Sequence, residues 1–164
     1  MASGFAFVAG LPPIADSERA ARTMAELADA AGPPGFRALL QTAAGNSPYL
    51  ARLILMESAF LSELLTRGPT PCLTDLNAQA LGVAQCEDAV CVMRNLRIAK
   101  RRAALAIALA DIGGLFGLQA VTAALTQFAD SCATGALRFL LSAIAKPAPP
   151  SAASGGGVEE LPGP

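Results

Sequence analysis

Apolar residues recur at three- and four-residue steps along most of this chain, the spacing that places side chains on one face of an α-helix. Leu50, Leu53, Ile54, Phe60, Leu61, Leu64 and Leu65 form one such stripe. Ser47 precedes it as a natural N-cap, and Pro48 fits the first helical position, where its missing N–H costs nothing. Gly68-Pro69 stops the stripe, and a break over Met56–Ser58 divides it into two short helices. Upstream, Asp16 or Ser17 caps a helix that carries Met24, Leu27, Ala28 and Ala31 on one face. Gly32-Pro33-Pro34-Gly35 ends that helix, and a short one follows over Phe36–Ala44. Leu73, Leu76 and Ala80 mark a helix within Pro71–Leu81.

Two longer helices complete the pattern. Glu87 and Asp88 open the first, which runs to Ile112 with acids leading and bases later, as the helix dipole favours. Gly113, Gly114 and Gly117 make a turn. Leu118, Val121, Leu125, Phe128, Cys132, Phe139 and Ala143 then define a helix to about Ala145. The expected fold is all-α, with five to six helices. The two long ones, about 87–112 and 118–145, form an antiparallel spine because the turn between them is short. Residues 1–15 are expected to be a flexible arm and 16–145 the helical domain. Residues 146–164, "KPAPPSAASGGGVEELPGP", have little to bury and are expected to be a linker.

Composition supports helices over sheet, since Ala and Leu dominate and aromatics make up 5%. Twelve basic and thirteen acidic residues give a net charge of −1, which argues against a general polyanion binder. The chain has no histidine, so it can form no Ser-His-Asp or Cys-His catalytic arrangement and offers no His metal ligand. The cysteines, Cys72, Cys86, Cys91 and Cys132, form no C-x-x-C pair. They are expected to be structural thiols in a reducing cytoplasm. The N-terminus lacks the basic start of a secretory signal, so the expected location is cytoplasmic.

"LRIAKRRAALAIALADIGG" (Leu96–Gly114) concentrates the charge. Arg94, Arg97, Lys100, Arg101 and Arg102 lie in or just before it, five of the twelve bases. On a helix, Arg94, Arg97 and Arg101 fall within about 60° of each other, while Lys100 and Arg102 point elsewhere. The simplest reading is a solvated ridge whose stems cover apolar neighbours. Nucleic acid is disfavoured because no aromatics are interleaved for base stacking. A membrane span over Ala103–Leu125 is disfavoured because Asp111 would sit mid-bilayer, at about 2.5–3.5 kcal/mol. A helix–turn–helix in a bundle explains the same tract, so no nucleic acid and no membrane partner is expected.

Three segments carry a resemblance. "GNSPYLARLILMESAFLSELL" (Gly45–Leu65), "LRIAKRRAALAIALADIGG" and "LQAVTAALTQFAD" (Leu118–Asp130) resemble, in order and spacing, helical motifs of the bacterial glutamine synthetase adenylyltransferase/adenylyl-removing enzymes. The Ala-rich style resembles their alphaproteobacterial branch. The resemblance implies a nucleotidyltransferase that moves AMP from ATP onto a tyrosine of glutamine synthetase and removes it by phosphorolysis, in nitrogen metabolism. It implies Mg²⁺ and ATP for the whole enzyme, held by an Asp-x-Asp pair. Glutamine synthetase and a nitrogen-regulatory signal protein are the implied partners. No Asp-x-Asp occurs in this chain, and the family's Gly-Lys and Ser-Asp-x-Asp run does not follow its last helix. The chain is therefore expected to be an N-terminal helical fragment, inactive alone and binding no cofactor. Residues 146–164 would then be a linker or the truncated start of a missing C-terminal catalytic domain.

No catalytic, cofactor-binding or metal-ligating residue is assigned. The candidate contact surface is Arg94, Arg97, Lys100, Arg101 and Arg102, packed against the missing domain or facing an acidic surface. A free-standing adaptor that binds a protein partner through this ridge is the alternative. Asp111 is expected to pair with a nearby Arg or to cap the Gly113-Gly114 turn. Ser47 serves as a cap rather than a nucleophile. Tyr49 is expected to be core with its hydroxyl at the edge.

Overall fold

The computed structural model describes residues 10–27 and 32–145. Residues 1–9 of the expected arm, Ala28 and Ala31 of the first stripe, and the whole 146–164 segment lie outside these. Seven α-helices follow in order: α1 (Ser17–Leu27), α2 (Pro34–Asn46), α3 (Pro48–Met56), α4 (Ser58–Arg67), α5 (Pro69–Gly82), α6 (Ala89–Ile112) and α7 (Leu118–Ala145). A 3₁₀ turn, Val83–Gln85, joins α5 to α6. The all-α expectation holds. Among the described residues the helices number seven where five to six were expected, and the break expected over Met56–Ser58 is present at Glu57, between α3 and α4.

The local signals act where the sequence places them. Asp16 Oδ1 accepts from the Arg19 N–H at 2.8 Å at the start of α1. Ser47 Oγ accepts from the Leu50 N–H at 3.2 Å, with Pro48 opening α3. Asp88 Oδ1 accepts from the Cys91 N–H at 2.7 Å and starts α6. Each bond satisfies one N–H that a helix start otherwise leaves unpaired. Gly68 follows α4 at φ 82° and Gly114 closes the turn after α6 at φ 73°, conformations that disfavour any side chain.

Residues 10–16 run along the end of α2 rather than free of it. Asn46 holds them, donating from Nδ2 to the Pro13 carbonyl and accepting from the Ala15 N–H. The Arg19 guanidinium donates to the Ala44 and Gly45 carbonyls, two acceptors that the C-terminus of α2 cannot pair within itself. These bonds fix α1 across α2.

The core gathers Phe36, Leu39 and Leu40 from α2, Leu53 and Ile54 from α3, Leu61 and Leu64 from α4, Cys72 and Leu76 from α5, and Leu105 and Leu109 from α6. α7 folds back beside α6 after the Gly113–Gly117 turn, but it packs more extensively on α5 and the 3₁₀ turn. The tract Ala103–Leu125 is thus two helices and a turn, as expected.

Two sequence expectations need correction. Tyr49 is not core: it lies in the first turn of α3 and is 51% exposed, because the core face of that helix is taken by Ala51, Leu53 and Ile54. The α7 stripe marks the helix and, in Val121, Phe128 and Cys132, part of its packed face, but its other members do not all lie there. Leu118 is 81% exposed and Leu125 is also exposed, while Phe128, Ser131 and Gly135 make the contact. Leu137, Leu140, Leu141 and Ile144 face outward as well. Among the described residues α7 is the one helix long and apolar enough to cross a membrane, by length and composition alone.

Candidate functional site

The joint between α3 and α4 holds an acidic residue, Glu57, that is only 4% exposed. Its N–H still bonds the Leu53 carbonyl, and its own carbonyl accepts from Phe60 and Leu61. The residue therefore belongs to both helix ends, and its side chain points toward α6. There Glu57 Oε1 accepts from Arg101 Nε and Oε2 from Arg102 Nε, both at 2.8 Å. The Arg102 guanidinium also lies over the Phe60 ring, 5.5 Å from its centre, a favourable cation–π contact. One carboxylate thus ties the break in the first stripe to the middle of the long helix.

Burial on its own pushes the Glu57 carboxyl pKa up, but the hydrogen bonds and positive charges of Arg102 and Arg101 outweigh it. The net effect holds the carboxyl below its ordinary value. A depressed folded-state pKa stabilises the protein above the unfolded value, about 4.3, and that stability is lost as pH falls through the folded pKa. Urea midpoints measured between pH 7 and pH 3 should therefore fall with acid below about pH 4.3. Glu57→Gln, which cannot ionise, should flatten that fall. An equally steep decline in both proteins would show that other carboxylates dominate.

The five sequence-predicted contact residues divide. Arg101 and Arg102 turn to Glu57, with side chains 32% and 33% exposed. They are structural partners of one carboxylate as much as surface. Arg94, Arg97 and Lys100 are exposed and make no ion pair with any described residue. The structure thus places Arg101 and Arg102 together, although a helical wheel separates them by 100°. Arg97 and Lys100 rim an open apolar groove between α6 and α7 of about 470 Å³, floored by Leu96, Ile107, Leu125 and Phe128. The Asp111 side chain has no partner among the described residues; its main-chain carbonyl instead accepts from Gly114 in the turn.

Glu57 is the residue that sequence reasoning missed. The available signal was a lone acid inside "LILMESAFL", which reads as a helix break. Its partners lie 44 and 45 residues away, beyond the reach of local pattern.

The cysteines also divide. Cys72 is buried, and Cys132 is half-buried on the groove between α6 and α7. Burial pushes both thiols up. Cys86, at the end of the 3₁₀ turn, and Cys91, in the first turn of α6, come together beside Asn95. The Asn95 side-chain amide donates to both sulfurs at 3.5 Å.

Among the described residues no group of three or more Cys, Asp or Glu could hold a metal ion. Among the described residues the one buried carboxylate, Glu57, is already taken by two guanidiniums, and no carboxylate group there fits Mg²⁺. What fold and site define is a helical module held across its middle by a buried carboxylate, with Arg97 and Lys100 beside an apolar groove and Arg94 exposed nearby on α6. The comparisons then place it: the chain belongs to the glutamate-ammonia ligase adenylyltransferase family, whose model matches residues 37–158. It is 42% identical over 113 residues to a bifunctional glutamine synthetase adenylyltransferase/adenylyl-removing enzyme of Xanthobacter autotrophicus. It is 46% identical over 109 residues to the enzyme of the same name in Rhodopseudomonas palustris. These alignments cover 69% and 66% of this chain but 11% of each relative. No solved structure matches the chain.

Proposed function

We propose that this chain is the N-terminal helical part of a cytoplasmic glutamine synthetase adenylyltransferase/adenylyl-removing enzyme, and that it supports the chemistry rather than performing it. In this reading the whole enzyme adds AMP to a tyrosine of glutamine synthetase and removes it by phosphorolysis, using ATP and Mg²⁺, under a nitrogen-regulatory signal protein. The observation that carries the proposal is the family match over 37–158, together with the lack of any metal-holding carboxylate group among the described residues. Arg94, Arg97 and Lys100 then serve as the contact surface for the catalytic portion of the enzyme.

Two measurements test this. Purified chain mixed with ATP, Mg²⁺ and glutamine synthetase should transfer no AMP, and adenylylated glutamine synthetase should keep its AMP when phosphate is added. Any transfer or release by the chain overturns the support role. Mixed with the Rhodopseudomonas palustris enzyme lacking its matching segment, the chain should bind. Replacing Arg94, Arg97 and Lys100 together by Glu should weaken that binding at least about tenfold, equivalent to 1.4 kcal/mol. Unchanged binding by the triple variant would remove the ridge from the interface. The exposed, unpaired state of those three cations also supports the adaptor reading. Binding to a protein partner other than the enzyme, lost in the same variant, would favour it.

A further inference from the structure

Cys86 and Cys91 are five residues apart, a spacing that matches no thiol motif, yet the fold brings their side chains to one place. The 3₁₀ turn Val83–Gln85 ends with Cys86 in an extended conformation, φ −61° and ψ 148°, which reverses the chain toward α6. Asp88 then caps α6, and its bond to the Cys91 N–H fixes Cys91 in the first turn. Asn95, one turn further on, donates to both sulfurs at 3.5 Å and so holds them side by side. Neither thiol is fully buried, and both line an open surface hollow of about 470 Å³ with Arg94 and the carboxylates of Glu87 and Asp88. The other two cysteines have no such arrangement: Cys72 is in the core and Cys132 stands apart on α7.

We propose that Cys86 and Cys91, juxtaposed across the joint between the 3₁₀ turn and α6 and bridged by Asn95, form an oxidisable dithiol that closes to an intrachain disulfide with a hydroperoxide. The two sulfurs take different roles. Cys91, in the first turn of the 24-residue α6, is assigned as the attacking sulfur because its neighbour Cys86 is the one held to its proton. Cys86 keeps its proton more firmly than an ordinary thiol, chiefly because it shares a hydrogen bond with the Cys91 sulfur and secondly because of burial.

In the first step the Cys91 thiolate attacks one peroxide oxygen, the O–O bond breaks, and the departing hydroxide takes a proton to become water. Cys91 is now a sulfenic acid. The Cys86 sulfur then gives up its proton, attacks the Cys91 sulfur and forms the S–S bond, and the hydroxyl leaves as a second water. Two thiols and one hydrogen peroxide yield one disulfide and two waters; an organic hydroperoxide releases its alcohol in place of the first water. A thiol reductant reverses the change. The closed form staples the end of the 3₁₀ turn to the first turn of α6. This inference is independent of the enzyme reading, since it rests on two cysteines, Asn95 and the local fold.

The full chain, treated with hydrogen peroxide and then alkylated after unfolding, tests it directly. Alkylation should fall from four cysteines to two. Cleavage before Asp75 and Asp88 separates Cys86 from Cys91. The two peptides should therefore travel as one disulfide-linked species that dithiothreitol splits. The Cys86→Ser variant should instead accumulate a sulfenic acid at Cys91, trapped by dimedone. The Cys91→Ser variant should form neither the disulfide nor an adduct at Cys86. Circular dichroism checks that both variants keep their helices. Separate peptides with both sulfurs still alkylatable would overturn the proposal. So would a Cys132-linked dimer that leaves Cys86 and Cys91 free, or dimedone labelling at Cys86 rather than Cys91.

Discussion

Glu57→Ala is expected to lower the stability of the bundle by about 3 kcal/mol, the lower end of the range for breaking a buried ion pair. The lower end applies because the arginines are still about a third exposed, at 32% and 33%, and can partly turn to water. The loss arises less from the missing attraction than from what remains. Two guanidiniums would stand side by side with no counter-charge, and the void at the α3–α4 joint would lie among apolar side chains. Removing a single arginine should cost less, about 1 kcal/mol, because the carboxylate keeps one charged partner. Arg102→Met should cost more than Arg101→Met, since Arg102 also stacks on Phe60. Urea denaturation of the three variants checks the order. A Glu57→Ala protein within about 0.5 kcal/mol of the parent, the usual scatter for surface substitutions, would show that the cluster is not structural.

Gly135→Ala should also be strongly destabilising, although alanine ordinarily favours a helix interior by about 1 kcal/mol over glycine. Gly135 is where α7 crosses the end of α5. A Cβ there would lie well under 3.0 Å from the Ala80 carbonyl oxygen and 3.0 Å from Val83 Cγ2. The obstacle is main chain, which cannot swing aside, so the two helices must separate. The expected loss is about 3 kcal/mol, at the upper end of what overpacking costs. Amide exchange in α7 should rise more than exchange in α2 and α3. Gly82→Ala is the matching control: its Cβ would meet nothing within 4 Å, and its φ of −66° suits any residue. That change should leave stability equal or raise it by about 0.5 kcal/mol. Equal behaviour of the two variants would mean that the α5–α7 crossing adapts freely.

The helix ends were legible in the sequence because their causes are local. Ser47 and Asp88 accept from N–H groups three residues on, Pro48 opens α3 where no N–H is needed, and Gly68 and Gly114 act through their own φ. The all-α class followed from the same spacing, and three helical segments carried the family resemblance that the match over 37–158 bears out. The paired roles of Arg101 and Arg102 were not legible. A helical wheel sorts them onto different faces, and only the position of Glu57, set by the packing of α3 and α4 on α6, reunites them. The same limit applies to α7. Leucines at helical spacing identify the helix, but its contact with α5 forms where a side chain is missing, at Gly135. Tyr49 shows the converse: an aromatic beside a core stripe sits outside when smaller residues fill the interior. The Cys86–Cys91 pair was hidden because a tight turn, not a motif spacing, closes the distance.

The seat of α7 on Gly135 gives that helix a mechanical character. Buried contacts end at Gly135, and ten more residues continue to Ala145 with little beneath them, roughly 15 Å of rod at the helical rise per residue. The crossing is a fulcrum and the remaining helix a lever arm. A tilt of about 10° at Gly135 would move the tip by roughly 2.6 Å over that length. Whatever is joined at Ala145 would receive that displacement, so small shifts in how α5 meets α7 are magnified at the far end of the rod.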